Sequence, residues 1–405
     1  MMEKCSINAS LGDWQTRRAG RARGIVEWNR MKRILLLGAG KIGEMIATLL
    51  HGSGDYEVVV GDKDEAALAR LGKITPVEPR LIDASSHDAL VAAMADCFAV
   101  LSAMPFHLNP GIGEAARTAG CHYLDLTEDV ASTRAIKALA EGASRAFIPQ
   151  CGLAPGFISI VAYDLAKRFE RLQNVHMRVG ALPKYPSNAL KYNLTWSTDG
   201  LINEYCNPCE AVVGGELKEV PPLEEVEHFS LDGITYEAFN TSGGLGTLAE
   251  TLAGKVQNLN YRTVRYPGHR DIIKVLLQDL RLAERRGLLK EIFEHAIPMT
   301  LQDVVLIFVT VSGYREGRFL QESYAQKVYA REIGGRMWSA IQITTAAGIC
   351  ALLDLLVAGA IPTAGFVRQE DVTLEAFLGN RFGAHYAPDQ PNVRDAAAGI
   401  VRAVR

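Results

Sequence analysis

The chain has 405 residues, 48% of them hydrophobic and 22% charged, with a formal net charge of −3. That is the balance of an ordinary globular protein with a sizeable core, and it offers no basic footprint for nucleic acid. The length suggests two domains. The cysteines (Cys5, Cys97, Cys121, Cys151, Cys206, Cys209 and Cys350) are odd in number and follow no disulfide spacing, so a reducing, cytoplasmic setting is expected. Cys206-Asn-Pro-Cys209 is a C-x-x-C without a second pair, and no metal site is expected.

Residues 1–30 are polar and rich in arginine (Arg17, Arg18, Arg21, Arg23, Arg30). They read as an extension ahead of the fold and not as an import signal. From Arg33 to Leu37 a short apolar run ends at Gly38-Ala39-Gly40, Gly43 follows, and Ile42, Met45, Ile46, Leu49 and Leu50 then take helical spacing. A strand, a G-x-G-x-x-G turn and a helix form the dinucleotide fingerprint. Gly38 serves the tight turn, Gly40 the approach of a pyrophosphate and Gly43 close packing of helix on strand, with Lys41 and Ile42 opening the helix against the anion. A second strand, Tyr56 to Val60, ends at Gly61-Asp62. Asp62 stands about 20 residues past the glycines, where a carboxylate accepts from the ribose hydroxyls of NAD and repels the 2′-phosphate of NADP. Lys63 softens that exclusion, and NAD is expected over NADP.

The alternation continues. Helices are expected at Glu65–Leu71, Asp88–Ala95, Pro110–Thr118 and Val130–Ala143, and strands at Arg80–Ile82, Phe98–Ser102, His122–Leu126 and Ala146–Ile148. This is an α/β pattern that implies a Rossmann-type, doubly wound parallel sheet over residues 31–150. Ligands in such sheets bind beyond the carboxyl ends of the strands, which directs attention to three loops. Ser102-Ala-Met-Pro-Phe-His107 contains Pro105 and can lie flat, placing Ser102, Met104 and Pro105 against a nicotinamide-ribose. Asp125 and Glu128 end the next strand, where carboxylates serve as bases, bind an amine or cap the following helix. Cys151, in Pro149-Gln-Cys-Gly-Leu-Ala-Pro-Gly156, precedes a helix at Phe157–Phe169, a placement that lowers a thiol's pKa. The alternative for Cys151 is a buried, inert thiol.

Beyond residue 170 strands dominate: Val175–Leu182, Asn193–Trp196, Ile234–Phe239, Tyr261–Arg265, Val304–Thr310 and Phe319–Tyr329, the last two a hairpin. Helices are expected at Leu201–Tyr205, Leu245–Ala253, His269–Leu280 and Leu282–Glu294. Residues 151–336 therefore form a second, α+β domain with a mixed sheet that binds substrate. The helix Met337–Val357 and the tail return to complete the first domain over about 337–405. Ile343–Ile361 is long enough to span a membrane, but Asp354 near its middle makes a buried core helix the better reading. Three loops of the second domain gather polar groups. Trp196-Ser-Thr-Asp-Gly200 offers Trp196, Ser197 and Asp199, and Thr241-Ser-Gly-Gly-Leu-Gly246 offers the Thr241 and Ser242 amides to a carboxylate. Arg265-Tyr-Pro-Gly-His269 pairs a guanidinium that can grip a carboxylate with an imidazole that can move a proton. Each loop could equally cap a helix.

These motifs together resemble the saccharopine dehydrogenase-like oxidoreductases, and within them the lysine 6-dehydrogenase branch. The resemblance runs from about Met31 to Gly365 on Gly38–Gly43, Ser102–Phe106, Tyr123–Thr127 and Cys151–Gly156. Thr241–Thr247, Arg265–His269 and Trp196–Tyr205 favour the lysine-oxidising branch. It implies NAD-dependent oxidation at the ε-carbon of L-lysine, giving ammonia and 2-aminoadipate 6-semialdehyde, which closes to piperideine-6-carboxylate, in a homodimer or higher oligomer. Such chemistry needs a neutral amine, and free lysine's has a pKa of about 10.4. Asp125, His269 and Glu128 are the candidate bases, Arg265 with the Thr241-Ser242 loop the carboxylate site, and Glu128 or Asp199 the ammonium site. Saccharopine or carboxynorspermidine dehydrogenase is the alternative, although saccharopine's extra carboxylates need more cations than Arg265 with Lys184, Lys191 and Arg262. A non-catalytic NAD-binding protein is the remaining reading.

Overall fold

The computed structural model describes residues 31–387; the expected extension over residues 1–30 and the tail beyond residue 387 lie outside them. The first layer alternates strand and helix: β1 (Lys32–Leu37), α1 (Lys41–Ser53), β2 (Tyr56–Asp62), α2 (Glu65–Gly72), β3 (Glu78–Leu81) and α3 (His87–Met94). It continues with β4 (Ala99–Ser102), α4 (Asn109–Ala119), β5 (His122–Asp125), α5 (Val130–Leu139) and β6 (Ala146–Ile148). The chain then runs through α6 (Phe157–Ala166), β7 (Arg171–Pro183), α7 (Thr198–Cys206), β8 (Cys209–Val213), β9 (Glu216–Val220), β10 (Glu227–Leu231) and β11 (Ile234–Asn240). Next come α8 (Leu248–Leu252), β12 (Asn258–Arg265), α9 (His269–Lys274), α10 (Arg286–Ala296), β13 (Asp303–Arg315) and β14 (Arg318–Tyr329). Last are β15 (Arg331–Ile333), β16 (Arg336–Trp338), α11 (Ala340–Val357), β17 (Gly365–Phe366) and α12 (Leu374–Gly379).

The first sheet is parallel throughout, in the order β17-β6-β5-β4-β1-β2-β3. β1 shows why a central strand of this sheet is apolar at consecutive positions, here Ile34 to Leu37. Ile34 and Leu36 enter one core cluster, Leu35 and Leu37 the other, as a central strand covered on both faces requires. The strand order reverses between β1 and β4, the switch point at which such sheets open a crevice.

The second sheet has eight strands and is mixed: β12 and β7 run parallel, while β13 pairs antiparallel with both β7 and β14. One face, including Val175, Met177, Val179 and Ala181 of β7 and Val305, Ile307, Val309 and Val311 of β13, packs into the same core as α6 and α11. α11 lies along α1, and β17 adds to the edge of the first sheet beside β6. This helix is long and apolar enough to cross a membrane, but 83% of it is buried inside the fold. Its Asp354 accepts from Tyr56, Asn380 and Arg381, which makes the central carboxylate an anchor within a core.

Several local expectations are corrected. Residues 193–196 form no strand and carry only a bridge from Leu194 to Met299. The helix expected at His269–Leu280 is α-helical to Lys274 and π-helical over Val275–Asp279. Met337 belongs to β16, and α11 starts after Ser339, whose side chain and Gln342 form a capping box. β8, β9 and β10 are not among the strands expected, although Gly214-Gly215 and Asp232-Gly233, all four at positive φ, are two-residue hairpin turns that join β8 to β9 and β10 to β11. Glu and Lys dominate β9 and most of its length is exposed, so pairing with β8 and not apolar patterning makes it a strand.

Candidate active site

A cleft of about 670 Å³ opens beyond the carboxyl ends of β1, β4 and β5 and is closed on its far side by the second sheet and α7. Ile42, the loop from Ala103 to His107, Leu126 to Glu128 and Gly152 to Pro155 form one wall. Trp196, Ser197, Asn203, Glu204, Tyr261, Arg265 and Arg286 stand on the other. The strand-end loops of the first sheet and the Trp196–Gly200 loop after β7 thus meet across one crevice.

The fingerprint turn fits a dinucleotide. A Cβ at Gly43 would stand 1.9 Å from the Gly38 carbonyl oxygen, so only glycine permits this approach of helix to strand. Gly38 has φ +106°, and a Cβ there would stand 2.8 Å from the Ala103 carbonyl oxygen. Nothing lies within 4 Å of a Cβ built at Gly40, which leaves the side of a pyrophosphate open. Asp62 at the end of β2 accepts from the Ala39 amide at 2.7 Å, which holds its carboxylate against the turn. Lys41 extends to Met299 Sδ at 3.0 Å, and its carbonyl accepts from Gln342 of α11. Met104 and Pro105 line the cleft, whereas Ser102 is buried beneath them and donates to Asn109 at 2.7 Å.

The expected catalytic groups separate sharply. Asp125 is fully buried and does not line the cleft. Its carboxyl accepts from Tyr123 at 2.7 Å, from the Thr127 amide at 3.0 Å and from the Gln150 amide at 2.9 Å. Burial raises its pKa against the pull of those bonds, and it ties strand ends together. His269 is also buried behind the wall, and burial followed by the Arg265 charge pushes its pKa down to about 3. An imidazole held neutral and out of reach of the cleft is not placed to take a substrate proton. Of the two readings of Cys151, the structure gives the buried thiol, and the lowered pKa expected of a helix N-terminus is corrected. The thiol donates to the Ile148 carbonyl, and burial, then the Asp125 charge, raises its pKa well above the ordinary value, so desolvation outweighs the helix terminus.

The Thr241-Ser242 loop does not present free groups to the cleft. The Ser242 amide donates to the Glu204 carbonyl at 3.0 Å and its hydroxyl to the Asn203 carbonyl, Thr241 shares a hydrogen bond with Thr263 at 2.7 Å, and the glycines of the loop make room for neighbours. A Cβ at Gly244 would strike the Tyr261 ring at 2.3 Å. Lys184, Lys191 and Arg262 also lie off the cleft; Lys191 donates to the Pro267 carbonyl and Arg262 pairs with Glu225 and Glu227.

Glu128 does reach the cleft, half-buried, as do Trp196 and Ser197. Gly200 makes space for this arrangement, since a Cβ there would stand 2.4 Å from the Trp196 ring and 3.0 Å from Glu128 Oε1. Burial, reinforced by the charges of Asp129 and Asp125, raises the Glu128 pKa to about 7. Opposite it stands Glu204, a residue absent from the expectations. Burial raises its pKa to about 8, with Arg265 opposing and Glu128 adding to the shift. Desolvation in the crevice thus holds protons on both carboxyls to a higher pH than an ordinary carboxylate keeps them. Arg265 lies 4.0 Å from Glu204, and Arg286 at the mouth donates to Asn203 and Asn207 at 2.9 Å each, with no carboxylate partner among the described residues. Asp199 is engaged by Lys290 at 2.6 Å.

The sequence did carry a signal for Glu204 and Asn203. Both stand three to four residues past Gly200 on α7, hence on the helical face that Gly200 turns to the cleft. No local signal pointed to Arg286, which arrives from α10.

With this geometry in place, comparison with known proteins is specific. The family model described as Saccharopine dehydrogenase C-terminal domain matches residues 152–380, and that described as Saccharopine dehydrogenase NADP binding domain matches residues 34–147. The mitochondrial alpha-aminoadipic semialdehyde synthase of Bos taurus is 22% identical over 219 residues, 50% of this chain and 24% of that protein. Saccharopine dehydrogenase (NADP(+), L-glutamate-forming) of Saccharomyces cerevisiae is 21% identical over 258 residues, 61% of this chain and 57% of that protein. The matches thus span from about a quarter to somewhat over half of the length of these curated relatives. Among solved structures, apo saccharopine dehydrogenase (L-Glu forming) from Saccharomyces cerevisiae has a TM-score of 0.70 at 16% identity, covering 85% of this chain and 95% of that one. Homospermidine synthase from Legionella pneumophila in complex with NAD has a TM-score of 0.65 at 13% identity, covering 89% and 90%. At such identities the likeness is one of fold.

Proposed function

This chain belongs to the saccharopine dehydrogenase family, and from that premise we propose that it is an NAD-dependent amino-acid dehydrogenase acting on the ε-amine of L-lysine. The observation that carries this reading is the pair Glu128 and Glu204 facing one cleft with pKa values raised to about 7 and about 8. Lysine enters with its ε-nitrogen protonated, since that group's ordinary pKa is about 10.4. A carbon bearing an ammonium does not release hydride, so the nitrogen proton must leave first. Glu128 follows β5, the neighbour of β4, lines the cleft with Met104 and Pro105, and is assigned as the proton acceptor. Glu204 is the second carboxyl against the amine and, once ionised above about pH 8, holds the cationic form of the substrate in place.

The nicotinamide, when bound, accepts the hydride. Asp62 supports NAD, because a carboxylate against the ribose disfavours a 2′-phosphate, although the matched family model is described as NADP binding. Loss of hydride from the ε-carbon and of a proton from nitrogen leaves an imine, whose hydrolysis releases ammonia and the aldehyde. Arg286 is assigned to the α-carboxylate, being the cleft guanidinium with neutral partners. Among the described residues the cleft's lysines and arginines are Arg265 and Arg286 alone, and Arg265 already faces Glu204. That supply suits one substrate carboxylate better than the several of saccharopine.

The test is reduction of NAD and of NADP by L-lysine, by saccharopine and by a carboxylate-free diamine at alkaline pH. Turnover with L-lysine and NAD is expected. Preference for saccharopine would replace this reading with the alternative, and preference for the diamine would remove Arg286 from recognition.

A further inference from the structure

Behind the cleft wall the buried side chains form a chain of hydrogen bonds with one permitted direction. His269 Nδ1 lies 2.8 Å from the Leu190 carbonyl oxygen, which only accepts, so Nδ1 carries the proton and Nε2 is an acceptor. The Tyr205 hydroxyl, 3.0 Å from Nε2, therefore donates to it. The same hydroxyl oxygen accepts from Arg265 Nε at 2.9 Å. A second guanidinium nitrogen donates to the Val264 carbonyl at 2.9 Å, and the Tyr192 ring covers the guanidinium face at 4.9 Å. The remaining nitrogen then stands 4.0 Å from Glu204 Oε2, beyond hydrogen-bond reach. Tyr205, Arg265 and His269 are at most 2% exposed, so water does not compete for these bonds.

We propose that His269 and Tyr205 are positioning residues, which act through Arg265 to hold its guanidinium short of Glu204 and so keep that carboxyl free for the substrate's amine. The inference rests on the amine-oxidising reading for its purpose, but its geometry does not. Glu204 is faced by Glu128, by Arg265 and Tyr261 of β12, by Tyr192, by Tyr205 and by Cys209. Of these Arg265 is the cation, and its distance sets how much charge Glu204 feels. Without the Tyr205 hydroxyl, a buried guanidinium must find another acceptor. The Glu204 carboxylate is already 4.0 Å away, and a charge-assisted bond to it would hold that carboxyl ionised.

The experiment follows the carboxyl stretching band that Glu204→Gln removes, titrated by infrared difference spectroscopy in the full chain. Parent protein, Tyr205→Phe, His269→Leu and His269→Gln are compared, each checked for cooperative melting. The midpoint is expected to fall by about one pH unit in Tyr205→Phe and in His269→Leu, the scale of one added charge-assisted bond. His269→Gln should keep the parent midpoint, because its amide can accept from Tyr205 and donate to Leu190. An unchanged midpoint in Tyr205→Phe overturns the proposal, as does an equal shift in the two His269 variants. Should His269→Leu not fold, Tyr205→Phe decides. No substrate enters the measurement, so the expected shifts together with failure to oxidise lysine would sink the functional reading and leave the positioning chain standing.

Discussion

The Gln150 amide donates to Asp125 Oδ1 at 2.9 Å, and this bond ties the end of β5 to the end of β6 beneath the cleft floor. The same oxygen accepts from the Thr127 amide, while Oδ2 accepts from Tyr123. Asp125→Ala should therefore destabilise the fold by about 3 kcal/mol, several buried partners being left unpaired. Asp125→Asn keeps an acceptor for both amides and a donor toward Tyr123, so it should lower turnover less than tenfold. Denaturant melts beside kcat for the two variants check this, and a catalytic collapse in a stable Asp125→Asn would restore Asp125 as the base.

Glu128 carries the opposite expectation. Its raised pKa of about 7 means that the carboxyl is protonated, and useless as a base, in acid. The rate with lysine should thus rise with pH through about 7. Glu128→Gln should lower kcat by roughly 10²- to 10⁴-fold, the usual contribution of a positioned base, and abolish that limb. Initial rates across pH for parent and variant measure both, and a limb that survives in the variant belongs to another group.

Arg286 is exposed at the mouth and held by Asn203 and Asn207. If it binds the α-carboxylate, Arg286→Ala should raise the KM for L-lysine by about ten- to a hundredfold, a charge-assisted contact of roughly 1.5–3 kcal/mol. kcat should change little, since the carboxylate end is remote from the reacting carbon. Steady-state kinetics settle the matter; a fall in kcat with constant KM would contradict the assignment.

At the other end of the crevice, Asp62→Ser should narrow the preference for NAD over NADP by about tenfold or more, because the repulsion of a 2′-phosphate is removed. Titrating the reduced cofactors by fluorescence in parent and variant reads the two affinities directly. Tighter NADPH than NADH binding in the parent would show that Lys63 or a neighbour outweighs the carboxylate.

Much of the first sheet was legible in the sequence because its demands are local. The Gly38–Gly43 turn, the apolar run of β1 and the carboxylate at Asp62 each follow from steric or burial rules acting within about 30 residues. The mixed second sheet was legible in class, through strands with few helices; the signal for β8, β9 and β10 lies not in apolar runs but in the Gly214-Gly215 and Asp232-Gly233 hairpin turns. Site residues divided on a different line. Glu128, Trp196, Ser197, Met104 and Pro105 sit where a loop leaves an element at the crevice, a position that the order of elements already implies.

By itself, then, the sequence determined that a parallel sheet with a dinucleotide turn is joined to a strand-rich second domain, since glycine sterics and apolar periodicity allow little else. Only the tertiary structure decided which ionisable groups meet the cleft. Asp125, His269 and Cys151 have the right chemistry, and burial among partners from distant segments takes them out of it. Glu204 and Arg286 come from α7 and α10, more than 70 residues from Glu128 in the chain. Residue type states what a group can do, but desolvation and the charges that packing places beside it set whether it holds a proton.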